Sequence, residues 1–260
     1  MVTGMETFKH HFVGFEDSFV LIGGAACDAW FTSFGGRFRA TKDIDMVLVL
    51  EAVQLRFFPR FWMFIKEGGY EIGQRSDGKR TYFRFIKPAR AKYPKMIELF
   101  SSAPMEIEIL PGQHVIPIPA DEHLSSLSAI LMDPDYYGFI MGQRDLVDGL
   151  PLIKPAGLIV LKVRAWLDLT LRRSQGDTKV KDDDVSKHRA DVFRLATLLP
   201  VGEKLDIPSG ILDDLKTFLA FFSSESPEWS AIRQSLDNSG IRMTPSDLLG
   251  IMNTYFQVKP

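Results

Sequence analysis

The chain has 260 residues, 31 Lys+Arg against 33 Asp+Glu, 45% apolar residues and a single cysteine. That profile supplies a core for one large domain or two small ones and excludes disordered, collagenous and coiled-coil classes. One cysteine excludes an internal disulfide and no apolar run reaches the roughly 18 residues of a bilayer span, so a cytoplasmic protein with no membrane partner is expected.

The opening Met1-Val-Thr-Gly-Met-Glu6 lacks the basic and then apolar layout of a signal peptide. Residues 18–22, Ser-Phe-Val-Leu-Ile, form a short apolar run closed by Gly23-Gly24, as in a buried strand entering a tight turn. A helix is predicted to leave that turn over residues 25–34. The clearest buried strand covers residues 44–50, rich in branched apolar side chains. A helical stretch over 52–67 should be kinked or split at Pro59. Further strands are predicted over 70–75, 81–87 and 95–101, with another over 115–118.

The second half changes character. Pro155 suits the first turn of a helix carrying Leu158, Leu161, Lys162, Ala165, Trp166 and Leu169 at spacings of three and four. A polar loop follows, then a helix over 187–199 that Asp184 or Ser186 would cap and Pro200 would end. Three more helices are predicted over 211–222, 228–236 and 246–256. The expected class is α+β: a mixed sheet flanked by helices over residues 1–150, then a helical domain over 151–260.

Charge is uneven although the net is −2. Residues 154–199 hold ten Lys/Arg against six Asp/Glu, and the segments on either side are each net −3. A basic middle segment could face a polyanion; an ordinary helical surface is the plainer reading.

The chemistry concentrates in Thr41-Lys42-Asp43-Ile44-Asp45-Met46-Val47. Alternation puts Asp43 and Asp45 on one strand face and Ile44, Met46 and Leu48 on the other. Two carboxylates at the mouth of a buried strand are costly unless a cation sits between them, and hard oxygen ligands suit magnesium or manganese. In Lys95-Met-Ile-Glu-Leu-Phe100, Glu98 lies inside an otherwise apolar strand and needs a partner. A shared metal with Asp43 and Asp45 is one solution; an ion pair with Arg84 or Lys95 is the other. Gly23-Gly24, after a strand and before a helix, offers backbone N–H groups able to cradle phosphates.

The ordered set of Gly-Gly, a helix, Arg39-x-Thr41-x-Asp43-Ile-Asp45 and an acid on a later strand resembles the DNA polymerase beta-type nucleotidyltransferase superfamily. Within it the sequence is most similar to the AbiEii-like branch, whose members include toxins of type IV toxin–antitoxin systems. The resemblance covers roughly residues 18–100. It departs from the commoner pattern in having Gly-Gly for Gly-Ser and Glu98 for an aspartate. Farther on, Lys162-Val-Arg-Ala165 resembles the branch's Lys-x-x-Ala signature, and Lys187 to Asp191 its later basic-to-acidic motif.

The resemblance implies a nucleotidyltransferase-type fold and the transfer of a nucleoside monophosphate from an NTP to an acceptor hydroxyl, with pyrophosphate released. It implies that Asp43, Asp45 and Glu98 are catalytic and hold Mg2+ or Mn2+. Gly23, Gly24, Lys162, Lys187 and Asp191 would bind the nucleotide. For Lys162 a salt bridge across the domain interface is the alternative, and an intrahelical ion pair is the alternative for Lys187 and Asp191. By the same resemblance the acceptor would be RNA, such as a tRNA end, and a cognate antitoxin would be a partner. A small-molecule acceptor of the aminoglycoside kind, or an inert nucleotide-binding module, are the competing readings. The five histidines lack zinc-site spacing, Cys27 lacks a nucleophile's partner, and no Walker-type loop is present.

Overall fold

The computed structural model describes residues 2–49, 56–74, 80–101, 107–110, 113–115, 130–131, 133–223 and 225–258. The chain divides into a sheet unit, Met1–Tyr137 with Arg144–Ile153, and a helical unit, Gly138–Gln143 with Lys154–Pro260. The class is mixed α+β, as its sequence predicts.

The sheet unit starts with α1 (Met5–His11), β1 (Phe19–Ile22), α2 (Gly23–Ser33), β2 (Asp43–Leu48), α3 (Phe57–Gly68), β3 (Glu71–Gln74), β4 (Arg80–Ile86) and β5 (Met96–Phe100). A separate two-stranded ribbon of β6 (Ile107–Leu110) and β7 (Gln113–Val115) follows. Next come α4 (Pro134–Gly142), which straddles the division between the units, and the hairpin β8 (Arg144–Val147) and β9 (Leu150–Ile153). Seven strands make one sheet in the order β3-β4-β5-β2-β1-β9-β8. β1 runs antiparallel to β2 and parallel to β9, and β2 runs parallel to β5.

Register gives the sheet two unlike faces. Phe19 opposes Leu48 and Leu21 opposes Met46, while Ile44 opposes Ile97, which opposes Phe85. Strand partners share a face, so these form one apolar layer. It is covered by the rings of α1 and α3: Phe8 stands 5.7 Å from Phe19, Phe12 5.8 Å from Phe57, and Phe61 5.4 Å from Phe85. Met5, Phe8 and Phe12 recur at spacings of three and four residues, which is what turns α1 toward this layer. Each such ring pair adds about 0.5–1.5 kcal/mol beyond area burial, so this layer anchors the unit. The opposite face carries Asp43, Asp45, Glu98 and Arg84.

Several elements differ from their sequence expectation. α2 begins on Gly23 itself rather than after the glycine turn. Pro59 does not split α3: it lies in the first turn, where a backbone N–H has no helical partner to lose. Residues 51–55, where that helix was expected to start, lie outside the described residues, as do residues 116–118 of the strand expected after Val115. The β8–β9 hairpin turns on Asp148 (φ 50) and Gly149 (φ 73), the pair of positive φ values of a two-residue type I′ loop.

The helical unit comprises α5 (Pro155–Ser174), α6 (Asp182–Ala196), α7 (Ser209–Ala220), α8 (Trp229–Asp237) and α9 (Pro245–Tyr255). α6 starts at Asp182, five residues earlier than its apolar periodicity suggests, because three aspartates in its first turn complement the helix dipole. Trp166 packs 5.1 Å from both Phe218 and Phe221, and Phe193 lies 4.6 Å from Trp229. Among the described residues no helix is long and apolar enough to cross a membrane.

Candidate functional site

One rung runs straight across four neighbouring strands. Ile22 of β1 opposes Asp45 of β2, Asp45 opposes Glu98 of β5, and Glu98 opposes Arg84 of β4. Neighbouring strands lie about 4.8 Å apart, so Asp45 and Glu98 stand side by side on one face. Asp43, two residues before Asp45, shares that face by alternation and opposes Met96. The three acids from two chain segments are therefore brought to one end of one sheet face, beyond the apolar layer that holds the strands.

The glycine turn is built around the same acids. Gly23, the first residue of α2, follows Ile22 of the rung with φ 66, and a Cβ placed on it would overlap the Asp45 carboxylate. A Cβ on Gly24 would overlap the Thr41 hydroxyl. Each glycine thus admits one member of Thr41-x-Asp43-x-Asp45 against the start of α2. The N-cap residue of α2, Ile22, makes no side-chain cap, and a helix start of this kind presents backbone N–H groups. We expect Gly23→Ala to cost about 1–3 kcal/mol in urea unfolding, from positive φ and steric overlap together. Gly14→Ala is the control, because Gly14 also has positive φ (84) but open space around it. Equal losses in the two variants would remove the claim that Asp45 and Gly23 are packed against each other.

Glu98 is held on its other side. Arg84 Nε donates to Glu98 Oε1 at 2.7 Å, and Nη2 reaches the same oxygen at 2.6 Å. The glutamate side chain is 14% exposed and the arginine 48%, so the pair sits at the rim of the face with its acid end sheltered. Among the described residues no group of three His, Cys, Asp or Glu side chains is gathered closely enough to hold a metal ion. The donor chemistry fits a hard divalent cation, with three carboxylates on one face and two of them in register, but one carboxylate is occupied by a guanidinium.

The nucleotide-binding residues expected in the second half lie within the helical unit. Lys162 on α5 donates to Asp191 Oδ2 on α6 at 2.9 Å, and Arg194 Nη1 donates to Asp191 Oδ1 at 2.8 Å. All three are buried, Asp191 completely. Arg194 also reaches the Ser235 carbonyl at 3.0 Å and Ser239 Oγ at 3.2 Å. A phosphate at Lys162 would have to compete with Asp191 for the ammonium. Lys187 is half-exposed and pairs with Asp184 one turn earlier.

Sequence reasoning gave Arg84 only as one alternative partner for Glu98, and did not foresee the contacts of the two glycines. A lone cation within Tyr82-Phe83-Arg84-Phe85-Ile86 was the available signal for the first. The glycine contacts depend on how β1 and β2 pair, which spacing alone does not state.

No family model and no curated protein matches the chain. Among solved structures it is similar to an antigenic nucleotidyltransferase-like protein from Paracoccidioides brasiliensis, at 13% identity and a TM-score of 0.43, over 96% of this chain and 90% of that one.

Proposed function

We propose that the protein is a metal-dependent nucleotidyltransferase that moves a nucleoside monophosphate from an NTP to an acceptor hydroxyl. The observation that carries this reading is the placement of Asp45 between Gly23 and Glu98, with Asp43 on the same face. A glycine-lined helix start next to paired carboxylates offers donors for a triphosphate and oxygens for its counter-cations in one place.

In this reading Asp43 and Asp45 would hold Mg2+ or Mn2+, and Glu98 would join them on the acceptor side. Such ions, when bound, lower the pKa of the acceptor hydroxyl and neutralise the departing pyrophosphate. The N–H groups at the start of α2 would orient the triphosphate. Glu98, sheltered and aimed along the same face, would hold the acceptor's hydroxyl or take its proton. Positioning and charge neutralisation then supply most of the rate, because phosphoryl and nucleotidyl transfer need little covalent help from the protein. The finer reading, an AbiEii-like toxin that acts on RNA and is neutralised by an antitoxin, rests on the sequence resemblance alone.

A second reading has one observation in its favour. The Arg84–Glu98 pair is what an inert nucleotide-binding module would keep after losing its metal. Incubation with α-labelled NTPs, Mg2+ or Mn2+ and a total cell extract separates the two. Label transferred to RNA or to a small hydroxyl compound, with pyrophosphate released, supports transfer and names the acceptor class. Metal-independent NTP binding without any labelled product refutes transfer and leaves the inert module.

A further inference from the structure

We propose that the cavity between the first turn of α1, one face of α2 and the β8–β9 hairpin binds a small primary ammonium compound with a compact apolar body. The cavity lies within the sheet unit, and none of its lining residues belongs to the carboxylate rung.

Its size comes first. The cavity holds about 170 Å³. A dry void of roughly 150 Å³ accepts benzene, and packed interiors leave few spaces larger than one water. The space is written into α2. Ala25, Asp28, Ala29 and Thr32 recur at spacings of three and four residues, so they share one helix face. Two alanines on that face leave open what larger side chains would close. Met5 of α1 and Leu150 of β9 meet Ala25 to make an apolar end, each of the three at most 5% exposed.

The polar groups select the ligand. Asp28 is the only charged residue of α2, and it is 8% exposed. Glu6 and Asp148 lie at the exposed side, where Lys9 Nζ bonds Asp148 Oδ2 at 2.8 Å and ties α1 to the hairpin turn. Among the described residues every charged group that lines the cavity is an acid, so its potential favours a cation over an anion. A bare metal ion fits poorly, because no three ligating side chains gather among the described residues and much of the lining is apolar. Asp28 already interacts within the protein, but a carboxylate has about four lone-pair positions, so a ligand adds to that interaction rather than replacing it. Thr32, one turn on, brings a hydroxyl to the same face. The three donors of an ammonium group are shared between Asp28 and Thr32, and the apolar body lies against Met5, Ala25 and Leu150.

The test is calorimetric titration of benzylamine into the full chain at neutral pH, with benzyl alcohol, a neutral compound of nearly the same shape, run in parallel. Wild type is expected to bind benzylamine with a Kd of about 1 mM or tighter, and benzyl alcohol at least about tenfold more weakly. Asp28→Asn should weaken benzylamine about ten- to a hundredfold and leave benzyl alcohol unchanged. Ala29→Leu fills the space, so it should abolish binding of both compounds while the melting temperature holds or rises. No benzylamine binding by wild type up to about 10 mM overturns the proposal. Equal affinity for the two compounds, or unchanged benzylamine affinity in Asp28→Asn, overturns the assignment of an ammonium ligand. Binding that survives Ala29→Leu puts the ligand elsewhere and overturns the site. Should either variant fail to fold, Thr32→Val decides: weaker benzylamine binding supports the site, and unchanged binding overturns it.

Discussion

Asp45→Asn is expected to lower pyrophosphate release at least about a thousandfold, while the melting temperature stays that of the wild type. Asparagine has the volume and planar shape of aspartate, so the packing of residue 45 over Gly23 survives, as does its place in the rung opposite Ile22 and Glu98. What is lost is one negative charge, and with it the hold on a cation that the proposed function assigns to this face. Asp43→Asn should behave in the same way. The measurement is pyrophosphate release with NTP, Mg2+ and the acceptor fraction, alongside thermal unfolding of the same sample. Near-normal release by either variant would remove the proposed mechanism. A large fall in melting temperature would instead make Asp45 a structural residue.

The second large effect belongs to stability. Asp191→Asn should cost about 3–5 kcal/mol in urea unfolding followed by tryptophan fluorescence. The carboxylate is fully buried between Lys162 and Arg194, with one oxygen bonded to each. An amide of the same size removes the negative charge that lies between two buried cations. A triple replacement, Lys162→Met with Asp191→Leu and Arg194→Met, should recover most of the loss, because an apolar core does not carry the desolvation of three ions. A single-variant loss under about 1 kcal/mol would mean that water reaches the network. Arg194 complicates the triple variant slightly, since it also holds the Ser235 carbonyl at the end of α8.

Much of the fold is legible in the order of residues. Alternation in Ile44-Asp-Met-Val-Leu separates acids from core side chains, and the register with Phe19 and Leu21 honours that separation. Helical periodicity places Lys162 and Asp191 on inward faces of their helices. It does not say that the two faces meet, because the residues lie 29 apart and their pairing depends on how α5 and α6 pack. The same limit applies to Glu98. Its need for a partner is written in Met-Ile-Glu-Leu-Phe, but choosing between Arg84 and a metal requires knowing that β5 lies between β2 and β4. Two omissions were avoidable. Asp148-Gly149 between two short runs is a strong hairpin signal, and Met5, Phe8 and Phe12 carry the spacing of an amphipathic helix.

The hairpin has a consequence for how the chain comes to be folded. β1, whose four residues are buried, is flanked by β2 on one side and by β9 on the other, more than a hundred residues later. During synthesis Phe19-Val-Leu-Ile22 therefore waits as a bare, flat, hydrophobic border until residues 150–153 leave the ribosome. A polypeptide cut short before the Asp148-Gly149 turn would keep every acidic side chain of the rung and still present a sticky seam to its own copies.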